Sequence, residues 1–386
     1  MIESARVTLN NALVDLTSVQ GQYAFRSNPE FTDYTITSER NDDYLNGVTT
    51  LDLVLIQQHV LGISALDSPF KIIAADINSD ERVTAIDLVE LRKLILGVYT
   101  ELPQNDSWRF VDATQTFADA TRPFPFTESL DVANLVGDVT GQDFLGVKIG
   151  DVSGSAIANS LIAAGTRSAG TLSLEIADAS VAAGEEVSVA VTAANFSDIA
   201  AYQFTMDVDG LEFTGVESGA IEVTDANFGL LDGNTITTAW NSTAGVNASD
   251  VLFTMNFRAT AGVTLSKAIG ISSRVTPATA YTSTAAQMGV NVSFSGVATS
   301  EFALFQNEPN PFDNVTRIGF ELPSAASATL TVFDVTGKVV TLVKGDFAQG
   351  ANTITLSKSD LNTTGILYYQ LESGEFTATE KMIVIE

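Results

Sequence analysis

One short segment of the chain occurs twice. Residues 52–62, DLVLIQQHVLG, recur with few changes as residues 87–97, DLVELRKLILG. The second copy has apolar residues at the spacing that gives an α-helix one apolar face. Each copy ends in a glycine, Gly62 or Gly97, where a helix C-cap favours a residue in the left-handed conformation. The repeat therefore predicts two helices, each preceded by a loop rich in oxygen-bearing side chains.

The loop before the second helix has the ligand pattern of a calcium-binding loop. Such a loop supplies oxygen ligands at alternate positions, a backbone carbonyl at position 7 and a carboxylate at position 12. The candidate ligands are Asp76, Asn78, Asp80, the carbonyl of Arg82, Thr84 and Asp87. Glu81 stands at position 6, where glycine is usual. An acidic N-terminal helix cap is the alternative interpretation of the same residues.

The loop before the first helix is less regular. Aligned on its last residue, it has Leu45 at position 5, and moving Asn46 into that position makes the loop one residue short. Its candidate calcium ligands are Asp42, Asp43, Asn46 and Asp52. The sequence leaves open whether this loop holds an ion. His59, in the first helix, is expected to pack on the apolar face or at its edge.

Two such loops, each ending in Asp and followed by a helix that ends in Leu-Gly, resemble those of dockerin type I modules. The resemblance covers residues 41–100. It implies EF-hand-type loops, calcium-dependent folding and docking onto a cohesin through the helix faces. Dockerins usually carry a Ser/Thr pair near positions 10 and 11 of each loop, where this chain has Thr50-Leu51 and Ala85-Ile86.

The segments that flank the repeat have a different character. Residues 1–40 contain about three short strands, too few for an independent core, and resemble the end of a carboxypeptidase-regulatory or adhesin B-type β-sandwich. Residues 101–160 are rich in aromatic residues, and we expect them to pack on the calcium module as one domain, 41–160. Asp151 and Gly154 could join an acidic turn there, although a strand followed by a turn is the simpler interpretation. A linker of small residues follows near 155–170.

Alternating strands dominate residues 170–298. About nine short strands separated by turns favour a two-sheet sandwich. The segments AYQFTMDV (201–208), TAW (238–240) and LFTMNF (252–257) resemble those of cohesin domains and their carbohydrate-binding relatives. Trp240 and Tyr202 could form a sugar-stacking platform, but each lies within an apolar strand, which favours a place in the core.

The last unit, 301–386, reads as a small β-sandwich. It opens with QNEPNPF (306–312), where two prolines exclude a central strand, and ends with KMIVIE (381–386). This succession resembles the type A C-terminal sorting domain of type IX secretion substrates. The resemblance implies recognition by the type IX secretion machinery, export across the outer membrane and attachment at the cell surface.

Charge and composition narrow the range of functions. The chain has 19 Lys and Arg against 47 Asp and Glu, a net charge of −28, one histidine and no cysteine. Such a chain repels nucleic acid and cannot form a disulfide, a thiol nucleophile or a multi-histidine metal site. Neither a signal peptide at the start nor a membrane-spanning apolar stretch is found.

The sequence thus predicts a mainly β, multidomain chain: β-sandwiches plus a small α-helical module with EF-hand-type calcium loops. Our leading hypothesis is a non-enzymatic C-terminal region of a large secreted cell-surface protein, stabilised by Ca²⁺ and acting in adhesion or extracellular filament assembly. The alternative is a carbohydrate-binding or scaffolding region of a polysaccharide-degrading enzyme or complex. A third hypothesis follows from the presence of a dockerin-like and a cohesin-like module in one chain. The two modules pair either within the chain, or head to tail between copies, which gives homo-oligomers or filaments.

Overall fold

The structure is a computed structural model. It describes residues 1–161, 168–193, 195–248, 250–295, 302–323, 326–347, 350–374 and 376–385. The chain divides into two compact units, Met1–Ser295 and Gly296–Glu386. Within the described residues, no helix is both long enough and apolar enough to cross a membrane.

The predicted helices both form, and a third lies between them. The helices are α1 (Thr50–Val60), α2 (Pro69–Ala75) and α3 (Ala85–Ile95). Thr49 and Thr84 cap α1 and α3, and in each capping box the third helical residue, Asp52 or Asp87, accepts a hydrogen bond from the cap backbone. The two copies of the repeat, together with the threonine before each, therefore specify the helix starts as well as the apolar faces.

The first forty residues and the aromatic extension share one sheet. Its strands are β1 (Arg6–Leu9), β2 (Leu13–Leu16), β3 (Tyr34–Glu39) and β5 (Ser129–Val132), in the order β2-β1-β3-β5. The extension also contributes a two-stranded sheet of β4 (Trp108–Asp112) and β6 (Phe144–Lys148). The predicted division at residue 40 runs through the larger sheet, because the open edge of β3 is paired by a strand of the extension.

The second module is a β-sandwich around one large core. Its strands are β7 (Thr171–Ala177), β8 (Ser180–Val181), β9 (Glu186–Ala193), β10 (Phe196–Val208), β11 (Leu211–Ser218), β12 (Phe228–Asp232), β13 (Thr235–Ala248), β14 (Phe253–Ala259), β15 (Val263–Thr264), β16 (Ile269–Ser272), β17 (Thr279–Thr282) and β18 (Gln287–Ser295). Ten of the described strands form a continuous ladder in the order β11-β14-β9-β7-β18-β17-β10-β13-β12, with β16 paired to β10, and β8 pairs with β15. A short 3-10 helix (Asp225–Asn227) precedes β12, and a helical turn, α4 (Leu265–Ala268), precedes β16.

Stacked aromatic rings fill the centre of this core. The Tyr202 ring stacks on Trp240 at a centroid distance of 5.4 Å and on Phe204 at 5.7 Å. Tyr202 is fully buried and Trp240 is 5% exposed, so the prediction that both belong to the core is confirmed. Neither ring is available for stacking on a sugar.

The C-terminal unit is a second, smaller sandwich of two sheets. The strands are β19 (Ala303–Leu304), β20 (Val315–Leu322), β21 (Ala326–Asp334), β22 (Val339–Phe347), β23 (Gly350–Ser357), β24 (Gly365–Ser373) and β25 (Phe376–Val384), and the helical turn α5 (Lys358–Leu361) follows β23. The sheet orders are β19-β20-β23 and β22-β21-β24-β25.

The two signature segments of this unit contact each other. The Asn310 side-chain oxygen accepts a hydrogen bond from the Ile383 N–H (2.8 Å), and the Phe312 N–H donates to the Ile383 carbonyl (3.0 Å). The Asn307 N–H donates to the Tyr369 hydroxyl, which itself donates to the Phe305 carbonyl; both distances are 2.8 Å. The opening segment is thus held to the last strands by hydrogen bonds, of which the one from the Asn307 N–H is buried.

We predict that Tyr369→Phe destabilises the C-terminal unit by about 1–3 kcal/mol, because it leaves the buried Asn307 N–H without a partner and removes the donor to the Phe305 carbonyl. Hydrogen-exchange mass spectrometry should show faster exchange in the β20 and β24 peptides. Tyr368→Phe is the matched control, since Tyr368 lies on the other face of β24 and stacks on Phe333. Equal exchange in wild type and Tyr369→Phe would contradict the assignment.

Candidate functional site: an interface between two modules and its calcium loops

Helix α1 lies against β10, β13 and β17 of the sandwich. Val54 packs with Ala200, Ala201 and Tyr281, and Leu51 borders this cluster. Val54 is 5% exposed and Ala201 is fully buried. The small side chains of β10 allow the helix to approach the sheet closely. An apolar helix face and a flat strip of small residues thus form the centre of the contact.

The ends of the helices receive hydrogen bonds from the sandwich. The N–H groups of a first helical turn and the carbonyls of a last turn have no partner within the helix. The Thr50 N–H donates to the Gln203 side-chain oxygen (2.6 Å) at the start of α1. At the end of α3, the Ile95 and Leu96 carbonyls accept from the Thr276 and Thr237 hydroxyls, each at 2.6 Å. The sandwich therefore supplies hydrogen-bond partners to the start of α1 and to the end of α3.

Amide side chains connect the two helices to β13. Asn241 accepts a hydrogen bond from the Arg92 guanidinium (2.8 Å) and donates one to the Gln57 side-chain oxygen (2.7 Å). The Gln58 amide donates to the Thr243 carbonyl (2.7 Å). Burial lowers the pKa of Arg92. These bonds are directional, so they define the orientation of the helices on the sheet.

The packing is close, although the polar groups are incompletely paired. A Cβ at Gly229 would lie 2.8 Å from the Leu96 carbonyl oxygen, so only glycine fits there. Among the described residues, the side-chain atoms Thr50 Oγ1, Arg92 Nε and Gln203 Nε2 are buried without a hydrogen-bond partner. Each such atom lowers the net stability of the contact.

The second repeat carries the same apolar positions, but they face solvent. Ile86 and Val89 of α3 occupy the repeat positions of Leu51 and Val54, and they are 56% and 47% exposed. One of two related helix faces is thus docked on the sandwich.

The second calcium loop is organised around two buried carboxylates, of which Asp76 is the first. Its Oδ1 accepts from the Asp80 N–H and its Oδ2 from the Glu81 N–H, both at 3.0 Å. Burial raises the pKa of Asp76 to about 6. The carboxylate holds the loop in its turn and is withdrawn from bulk water.

The second buried carboxylate, that of Asp87, lies across the same loop. Its Oδ1 accepts from the N–H groups of Ile77 (2.8 Å) and Asn78 (3.3 Å), and its Oδ2 from the Thr84 N–H (2.8 Å). Burial raises the pKa of Asp87 as well. Among the described residues, neither Asp76 nor Asp87 forms an ion pair with Lys or Arg.

The remaining predicted ligands of this loop lie near its rim. The Asp80 carboxylate accepts from the Asn78 amide (3.0 Å) and from the Arg82 N–H (3.1 Å), and the Thr84 hydroxyl caps α3. Over the part of the chain that the structure describes, no three Asp, Glu or His side chains converge on one point. The donor set is nevertheless all oxygen and carries buried, uncompensated negative charge, which fits a calcium ion.

The first predicted loop is not gathered around Asp52. The Asp42 carboxylate accepts from the Arg40 side chain (2.8 Å), and Asp43 adopts a left-handed conformation with φ 42° in the turn before α1. The Asn46 side chain exchanges two hydrogen bonds with the backbone of Ile157, each at 2.8 Å. These predicted ligands therefore face different neighbours.

Asp52 contacts the turn after Asp151, which the sequence analysis did not assign to a calcium loop. Its Oδ1 accepts from the N–H groups of Val152 (3.0 Å) and Ser153 (2.9 Å). Burial raises the pKa of Asp52 to about 7, and the negative charge of Asp151 adds to the effect. The alternation of oxygen side chains in DVSGS (151–155) is the signal that could have identified this segment.

His59 has a structural position at the end of α1. Its Nδ1 accepts a hydrogen bond from the Leu66 N–H (3.2 Å), and burial lowers its pKa. The imidazole holds the loop that follows the helix, as expected for a packed histidine.

Comparisons with known proteins agree with this organisation. Family models match residues 44–96 (dockerin type I domain), 172–296 (cohesin domain) and 309–385 (secretion system C-terminal sorting domain). A comparison with curated proteins found no match.

Solved structures that resemble the chain include cohesins. The sixth cohesin of scaffoldin B from Acetivibrio cellulolyticus is 22% identical over 32% of this chain and 97% of that chain, with a TM-score of 0.26. A non-cellulosomal cohesin from Archaeoglobus fulgidus is 17% identical over 32% of this chain and 89% of that chain, with a TM-score of 0.25.

The family models and the observed modules describe the same organisation, and the resemblances to a dockerin, a cohesin and a sorting domain are confirmed. The resemblance of residues 1–40 to the end of a β-sandwich stays a prediction. The chain contains, in this order, a dockerin type I domain, a cohesin domain and a secretion system C-terminal sorting domain.

Proposed function

We propose that the dockerin and cohesin domains of this chain bind each other within one molecule and form a closed structural unit of a secreted cell-surface protein. The three identified domains are non-catalytic modules, and the sorting domain indicates type IX secretion to the extracellular side. We extend this to a non-enzymatic region that is attached at the cell surface and serves adhesion or assembly.

The contact of α1 with β10 and β13 carries this proposal. It combines an apolar centre, helix ends completed by sandwich side chains and amide bonds to Gln57 and Gln58. A helix face that is buried in this way is withheld from the cohesins of other proteins. The pair therefore stiffens its own chain, and pairing head to tail would require this contact to open.

Calcium is the second part of the proposal. We assign one Ca²⁺ to the loop of Asp76, Asn78, Asp80, the Arg82 carbonyl, Thr84 and Asp87. Bound there, the ion neutralises the buried carboxylates and cross-links the loop to the start of α3. The support is the all-oxygen donor set, together with two buried aspartates that lack an ion pair among the described residues. The sugar-binding alternative loses its two aromatic candidates to the core.

We predict that Val54→Glu separates the two domains, because an uncompensated charge buried at the interface costs roughly 3–5 kcal/mol. Calorimetry should show one shared transition of the two domains splitting into two, and amide exchange in β13 should increase. Val54 packs against the sandwich and lies outside the dockerin core, so that domain should still fold.

Val89→Glu is the matched control for this experiment. It places the same charge at the equivalent position of the second repeat, where the side chain is exposed, and it should melt like the wild type. Identical melting and exchange in the two variants would exclude docking through α1.

Sedimentation of the intact chain distinguishes pairing within a chain from pairing between chains. We expect the mass of a single chain at every protein concentration, in calcium and in EDTA alike, because the cohesin face is already covered. A mass that rises with concentration in calcium and falls in EDTA would show head-to-tail pairing instead.

Asp76→Asn tests the calcium assignment. Ligand binding to the folded state adds about 2.7 kcal/mol at a concentration one hundred times the Kd, so calcium should raise the melting temperature of the wild type. The variant should lose most of that increase. Asp67→Asn, an exposed aspartate paired with Lys71, should keep it. Equal melting of the wild type in calcium and in EDTA would refute the assignment.

A further inference from the structure

The carboxylate of Asp151 holds its own loop as Asp76 holds the second calcium loop. Asp151 Oδ1 accepts from the Ser155 N–H (3.1 Å) and Oδ2 from the Ala156 N–H (2.8 Å). The partners of Asp76 are likewise the N–H groups of the fourth and fifth residues that follow it. Two segments of different sequence thus form the same turn around an aspartate.

The last residues of the two loops, Asp52 and Asp87, also accept hydrogen bonds from equivalent positions. Asp52 accepts from the N–H groups of Val152 and Ser153, which directly follow Asp151, as Asp87 accepts from the two residues that directly follow Asp76. The contact with Val152 joins positions 100 residues apart in the sequence. The segment after Asp151 therefore corresponds to the first half of such a loop, and the segment that ends at Asp52 corresponds to the second half.

The junction between the two segments is very close. The Ser155 hydroxyl donates to the Gly47 carbonyl (3.0 Å), and Gly47 stands where the repeat places Arg82, the carbonyl ligand of the second loop. A Cβ at Gly47 would lie 2.5 Å from the Ala156 backbone nitrogen, and the φ of Gly47 is +75°. Only glycine fits this position.

We propose that the chain binds a second calcium ion in a divided loop, with Asp151, Ser153 and Ser155 supplying the first half. The Gly47 carbonyl, Thr49 and Asp52 supply the second half. Family models place the dockerin domain at residues 44–96, so three of these ligands come from outside it. The inference rests on the proposed calcium binding of the dockerin domain.

The surroundings of the divided loop fit a cation. Asp52 is fully buried and Asp151 is 9% exposed, and within the described residues neither forms an ion pair. The Lys148 ammonium lies near enough for its charge to interact with that of Asp151, but it donates its hydrogen bond to the Tyr44 carbonyl (3.0 Å). The donors are all oxygen, as Ca²⁺ requires, but include two carboxylates where the second loop has three. The divided site should therefore be the weaker of the two.

Calcium stoichiometry of the intact chain tests this proposal. Titration calorimetry with CaCl₂ should give two ions per chain for the wild type, one for Asp151→Asn and one for Asp76→Asn. Ser155→Ala leaves both buried carboxylates in place and should weaken the binding of one ion only. This variant replaces Asp151→Asn in the test if Asp151→Asn fails to fold. The double variant Asp42→Asn/Asp43→Asn is the control and should keep two ions.

The outcomes separate this inference from the proposed function. A wild type that binds one ion, lost in Asp76→Asn, would overturn the divided site and leave the calcium assignment of the second loop intact. Loss of an ion in the Asp42→Asn/Asp43→Asn variant would show that the continuous loop binds it instead. Two ions in Asp151→Asn, together with an unchanged affinity for both ions in Ser155→Ala, would overturn the proposal as well.

Discussion

The hydrogen bonds at the ends of α1 and α3 are the interactions on which the dockerin–cohesin unit depends. A helix end that is buried without partners would be strongly unfavourable, because its orphan N–H and carbonyl groups lose water and gain nothing. Here Gln203 accepts a hydrogen bond from the start of α1, and Thr237 and Thr276 donate to the carbonyls at the end of α3. These hydrogen bonds lower the cost of burying the helix ends beside the apolar contact of Val54. The interface therefore fixes one orientation of the helices on the sheet, whereas an apolar patch alone would tolerate many orientations.

The start of α1 combines three tasks in four residues. Thr49 caps the helix, the Thr50 N–H reaches the sandwich, and Asp52 holds the Asp151 segment. A change that displaces Asp52 would therefore shift the N–H that contacts Gln203. Ordering of the loop and docking of the helix are coupled through this single turn. Metal binding that orders such a turn also favours the docked state, since both require the same backbone conformation.

The sequence was sufficient to predict the features that depend on local patterns. Helices α1 and α3 followed from apolar periodicity and caps, and the burial of Tyr202 and Trp240 followed from their place in apolar strands. Helix α2 was missed because its seven residues are too few to show a period. The pairing of β3 with β5 and of Asp52 with the segment after Asp151 joins positions about 100 residues apart, which no local pattern encodes. The ligands of the first candidate calcium loop were therefore sought in the residues just before α1 and in its first turn.

The choice between the two helix faces follows from their polar residues. Both faces present apolar side chains at equivalent positions, so the apolar contact alone does not discriminate between them. Gln58 of α1 donates to a sandwich carbonyl, whereas the equivalent residue of α3 is Lys93, which pairs with Glu90. Burying an amide that finds a partner costs little, but burying an ammonium at the same place requires its desolvation and the loss of its ion pair. The face of α1 that carries Gln58 is therefore the one that docks, whereas the equivalent face of α3, with Lys93 and the exposed Ile86 and Val89, remains in solvent.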